Sequence, residues 1–80
     1  MKRLREANKK TVGFKQTIKA IDRGQTHVIY IAKDAEDKIR IPIMEKSVER
    51  EIAVVEVESM MELGKACGVQ VGASVVAVLD

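Results

Sequence analysis

Between Gly13 and Gly24, the apolar residues Phe14, Ile18 and Ile21 stand at i, i+4 and i+7, with Lys15, Gln16 and Lys19 among them. That spacing is one face of an α-helix, so it predicts a helix over about residues 14–23, ended by Gly24. A different pattern governs "HVIYIA" (27–32), "IAVVEV" (52–57) and "ASVVAVL" (73–79). These are near-continuous apolar runs; the first, rich in β-branched residues, is as expected of a central strand covered on both faces, the second is the next strand, and the third is another buried strand.

The intervening segments supply helices. "KDAEDK" is a polar break. Pro42 is then placed in the first turn of a second helix, where its missing N–H costs nothing, and Met44 with Val48 gives an apolar i, i+4 pair before the charged "EREI" end. Ser59 and Glu62 match the S-x-x-E capping box, predicting a third helix in which Leu63, Ala66 and Cys67 face inward and Gly68 ends the turn. In "KRLREANKK", Leu4 and Ala7 stand three apart among cations, the pattern of a short amphipathic helix. Helices alternating with buried strands predict an α/β three-layer sandwich. With no internal repeat, linker or low-complexity tract, the expectation is one domain over residues 1–80.

Composition narrows the function classes. A 46% apolar content with Phe14 and Tyr30 as the aromatic residues suits an aliphatic core and argues against disorder. The single Cys67 allows no intramolecular disulfide, and "MKRLREANKK" lacks the apolar stretch of a secretory signal, so a reducing cytoplasmic compartment is expected. No run approaches the ~20 apolar residues of a membrane span, so no membrane role is expected. The net charge of +2 conceals an asymmetry: residues 1–23 hold eight basic and two acidic residues, the remainder six basic and ten acidic. A local positive field of this kind favours an anionic partner that meets one end of the molecule.

Lys15 and Lys19, at i and i+4, rise from one surface with Gln16 beside them. An amide can donate to and accept from base edges, a lysine can reach guanine acceptors or phosphate, and a helix start attracts anions. Gly13 has no Cβ to keep a nucleic-acid backbone away. The alternative is an ordinary solvated helix face. In "LGKACGVQVGAS" (63–74), Val69 and Val71 between glycines are either a loop that packs on an extruded base or the buried start of the last strand. "GKACG" fails as a phosphate loop, which would require glycine at Ser59 and a hydroxyl at Ala66. His27 has no ligand partner at metal-binding spacing and reads as a surface histidine. Asp34, Glu36 and Asp37 read as turn residues or a helix cap, and Cys67 as core. No catalytic set, metal site or cofactor site emerges, so no enzyme is expected.

Together, "GFKQTIKAIDRG", "VIYIAKDA" and "LGKACGVQVGASVVAV" resemble the kink-turn RNA-binding ribosomal protein family, whose archaeal type is the large-subunit protein L-seven-Ae, and most of all its short bacterial homologues. The resemblance implies an α/β/α sandwich with a four-stranded mixed sheet. It also implies binding to kink-turns, in which a short bulge and tandem sheared G·A pairs separate two helices, in ribosomal, other non-coding or leader RNA. Carried over by position, Gly13 marks the approach point. Lys15 and Gln16 match the base-contacting polar pair, Lys19 matches the family lysine, and Val69, Gln70 and Val71 match the loop over the bulge. Phe14 and Lys33 complete the expected RNA surface. Archaeal members usually carry asparagine and glutamate where this chain has Lys15 and Gln16, a departure that bears on hydrogen-bond preference. The expectation is a ribosome-associated monomer; the rival is a ribosome-associated protein-interaction module with secondary, non-specific RNA contact.

Overall fold

The computed structural model describes residues 9–79. In chain order they form β1 (Lys10–Val12), α1 (Phe14–Asp22), β2 (Thr26–Ala32), α2 (Asp37–Glu49), β3 (Ala53–Val57), α3 (Met60–Cys67) and β4 (Val75–Leu79). The helix expected around Leu4 and Ala7 lies outside the described residues. The strands form one sheet in the order β1-β4-β2-β3. β4 is antiparallel to both β1 and β2, whereas β2 and β3 are parallel, so the sheet is mixed.

Alternation along the two inner strands divides the core. Ile29 and Ile31 of β2 and Val75 and Ala77 of β4 face α1 and α2, where Ala20, Ile21 and Ile43 are buried against them. Val28, Tyr30 and Ala32 of β2 and Val76 and Val78 of β4 face the other way, onto Leu63 of α3, with Ala66 and Cys67 packed alongside. Both faces of the central strands are therefore covered, which is why their sequences are apolar without polar alternation. β1 escaped the pattern analysis: "KTV" is too short to show a period, and its place follows from pairing Lys10 with Val78 and Val12 with Val76. β3 pairs on one side only, and Val55 remains 42% exposed.

α2 differs from expectation in two respects. It begins at Asp37, within the polar segment, and Pro42 lies inside it rather than in its first turn. Proline there removes one backbone bond, and the carbonyl it would have used belongs to Lys38, an exposed first-turn residue. Ile43 and Ser47 are buried and Ile39 packs against the core, so the inward stripe runs 39-43-47. Met44 flanks that stripe. Val48, turned about 100° beyond Ser47, is 76% exposed, and the Met44–Val48 pair is not an inward one. Ser47 fits the buried face because its hydroxyl donates to Ile43 O at 2.7 Å.

Candidate nucleic-acid interface

The strand directions gather separate segments at one end of the sheet. The Gly13 N–H, after β1, donates to Val75 O at 2.9 Å. The Ala32 N–H at the end of β2 donates to Ser74 O at 2.9 Å, and the next residue, Lys33, donates its N–H to Val57 O at 2.8 Å. The start of α1, the segment leading into β4, and the ends of β2 and β3 therefore share one edge of the molecule. The helix start carrying Lys15 and Gln16 is thus tied to the first residue of β4, the strand that follows the loop carrying Val69 and Val71.

Gly13 adopts φ 106°, a region that favours glycine, and the space where its Cβ would project is open. It precedes α1 without any side chain to cap the helix, and no acidic residue stands in the first turn. The first N–H groups of α1 thus retain their capacity for an external acceptor. α3 is the contrast: Ser59 Oγ accepts from the Glu62 N–H at 3.1 Å and Asp34 Oδ1 from the Met60 N–H at 2.8 Å. Lys15, Gln16 and Lys19 are exposed, Thr17 is fully buried, and Phe14 packs against the core beside Ile18. Phe14 anchors this helix start from beneath, with the polar side chains outside.

The second component is the segment after α3. Gly68, at φ 79°, ends the helix in the left-handed conformation. The Val69 N–H then donates to Gly64 O at 3.0 Å, and the Ala73 N–H to Met60 O at 2.9 Å, so the intervening residues fold back along α3. Gly64 allows the close approach: a Cβ there would collide with Val71 O and lie 3.1 Å from Val71 C and 3.2 Å from Gly72 Cα. β4 begins at Val75, so Val69 and Val71 belong to a loop and not to the strand. Val71 is 75% exposed, Gln70 is exposed and Val69 is half-buried. Val71 is therefore an exposed aliphatic side chain on a loop whose backbone is hydrogen-bonded to α3 at both ends.

Charge is distributed unevenly. Lys38, Arg40, Lys46 and Arg50 lie within 4 Å of Glu36, Glu56, Asp22 and Asp22 respectively, and Lys33 lies 3.4 Å from Glu58. Lys15, Lys19 and Arg23 have no carboxylate partner among the described residues. These three stand at i, i+4 and i+8 in sequence, and Arg23, the C-cap of α1, was not singled out from the sequence. Elsewhere, Asp34 is the helix cap that the sequence offered as one alternative, although it serves α3 rather than a neighbouring turn. His27 is exposed. Cys67 is half-buried, and burial pushes its thiol pKa up while Lys10 opposes the shift, which favours the unreactive protonated form. Among the described residues, no group of three or more His, Cys, Asp or Glu side chains could hold a metal. No helix among them is long and apolar enough to cross a membrane.

The α/β/α sandwich with a four-stranded mixed sheet is the architecture the sequence resemblance implied. The chain belongs to the ribosomal protein L7Ae/L30e/S12e/Gadd45 family, whose sequence model matches residues 1–80. It is 42% identical over 74 residues to an RNA-binding protein of Geobacillus sp. (strain WCH70), covering 92% of this chain and 90% of the relative. It is 38% identical over 68 residues to the large ribosomal subunit protein eL8 of Halobacterium salinarum, covering 84% of this chain and 57% of that protein. A 15.5 kD RNA-binding protein of Giardia lamblia shares the fold with a TM-score of 0.88 at 24% identity, covering 99% of this chain and 67% of the other.

Proposed function

We propose that this protein is a non-enzymatic RNA-binding protein that recognises kink-turns in structured RNA, ribosomal RNA among them, and stabilises their bent form. The observation that supports the reading is the hydrogen bond of 2.9 Å between the Gly13 N–H and Val75 O, which ties the start of α1 to the first residue of β4, the strand that follows the Val69–Val71 loop. RNA binding is also the description borne by the Geobacillus relative.

An undistorted A-form major groove is too narrow to admit side chains from a helix. A sharp bend with non-Watson–Crick pairs widens it and presents guanine edges. Lys15, Gln16 and Lys19 then approach those edges from α1, with Gly13 allowing the backbone close and the open first-turn N–H groups facing phosphate. Val71 supplies an apolar cover for the bulged nucleotides, and Val69 and Gln70 complete that loop. Because a bend crowds phosphates together, unpaired cations on α1 favour the bent form over the extended one, and only that difference in affinity shifts the RNA equilibrium.

The test is a titration of a kink-turn duplex against a copy in which Watson–Crick pairs replace the G·A pairs. The kink-turn binds more tightly, with affinity falling by roughly 0.7–0.9 log units per phosphate contact for each decade of salt. Equal affinity for the two RNAs would reject specific recognition and favour the rival, a protein-interaction module with incidental RNA contact.

A further inference from the structure

Lys33 occupies a peculiar position among the cations of the interface. Lys15 and Lys19 carry no ion partner among the described residues, but Lys33 Nζ lies 3.4 Å from both Oε1 and Oε2 of Glu58. The parallel pairing of β2 and β3 makes this contact. Ala32 aligns with Val57, and the Lys33 N–H donates to Val57 O, so residues 33 and 58 leave the sheet side by side. At 3.4 Å the ammonium and carboxylate are farther apart than in a tight charge-assisted hydrogen bond, and their side chains are 51% and 66% exposed. Such a loose, solvated pair exchanges partners readily.

We propose that Glu58 sets the affinity of the RNA interface by competing with phosphate for Lys33. The inference rests on the kink-turn reading of this end of the molecule. With Glu58 in place, the pair is close to neutral at a distance, so Lys33 adds little to the general attraction of polyanions that Lys15 and Lys19 provide. Lys33 reaches a phosphate only by leaving Glu58, and the carboxylate then remains beside the bound backbone as a repulsive charge. Glu58 thereby restrains indiscriminate RNA binding at the edge of a site whose centre lies at the start of α1.

The test compares the full chain with Glu58→Gln, Lys33→Met and the double variant against the kink-turn duplex and its Watson–Crick copy, at several salt concentrations. Glu58→Gln tightens kink-turn binding by about two- to fivefold at low salt and steepens the salt dependence by roughly the 0.7–0.9 of one added contact. In the Lys33→Met background the same substitution gives a distinctly smaller gain. Because both side chains are more than half exposed, melting midpoints stay close to that of the parent. An unchanged affinity in Glu58→Gln, or an equal gain with and without Lys33, would overturn the competition model alone. Failure of the parent chain to distinguish the two RNAs would instead overturn the kink-turn reading on which it rests.

Discussion

Replacing Gly64 by alanine tests whether the valine loop is held against α3 as the geometry requires. In an unobstructed helix interior this substitution stabilises by roughly 1 kcal/mol, because alanine loses less backbone entropy on folding. Here the new methyl would meet Val71 O inside contact distance, with Val71 C at 3.1 Å and Gly72 Cα at 3.2 Å. The obstruction is backbone, so relief requires the loop to move by on the order of 1 Å. Gly72 limits that movement, since its own Cβ position lies 3.2 Å from Met60 Cβ. Overpacking of this kind costs about 2–3 kcal/mol, the upper part of its usual range. The net effect is a loss of about 1–2 kcal/mol, a fall in melting midpoint of roughly 4–15 °C for a domain of this size. If Val71 covers the bulge as proposed, its displacement lowers RNA affinity as well. Thermal unfolding followed by circular dichroism reads the first effect, and titration with a kink-turn duplex well below the melting midpoint reads the second. A Gly64→Ala protein that melts higher than the parent and binds RNA equally well would refute the argument, since the helix would then have behaved as an ordinary exposed one.

Other substitutions separate binding from folding. Lys19→Ala weakens kink-turn binding by about 1–3 kcal/mol with little change in melting midpoint, because the side chain is exposed; unchanged affinity removes Lys19 from the interface. Val71→Asp impairs binding while leaving the fold largely intact, as expected for a residue 75% exposed; collapse of the melting midpoint with binding preserved marks it as structural instead. Ser59→Ala loses the cap on the Glu62 N–H and about 1 kcal/mol of stability, measured by urea unfolding; no loss shows that Asp34 alone suffices to cap α3. Thr17→Val replaces a buried hydroxyl that lacks a partner among the described residues and raises stability by up to about 1 kcal/mol; a lower urea midpoint shows that the hydroxyl is satisfied.

The parts of this fold that were legible in the sequence are those in which one period dominates. Phe14, Ile18 and Ile21 define α1, and Ser59 with Gly68 defines the two ends of α3, because each signal is local. The runs in β2 and β4 are apolar throughout because both faces are buried. α2 was harder to read because Ile39, Ile41, Pro42, Ile43, Met44 and Val48 surround much of the helix, and packing alone decides that 39, 43 and 47 face inward. β1 was illegible for a different reason: its three residues acquire strand geometry from β4, distant in sequence. Within the candidate site, residue types and spacing identified the exposed polar side of α1. They could not decide whether Val69 and Val71 were loop or strand, since that depends on Gly64 admitting the backbone of residues 71 and 72. Nor could the sequence pair Lys33 with Glu58, which the parallel register of β2 and β3 brings together.

The central claim is that the protein selects bent RNA, and energy transfer between dyes on the two arms of a kink-turn measures the bend itself. In buffer without divalent ions, stoichiometric addition of the protein raises transfer in the kink-turn and leaves its Watson–Crick copy extended. Tight binding with no change in transfer, or an equal rise in both RNAs, would contradict it.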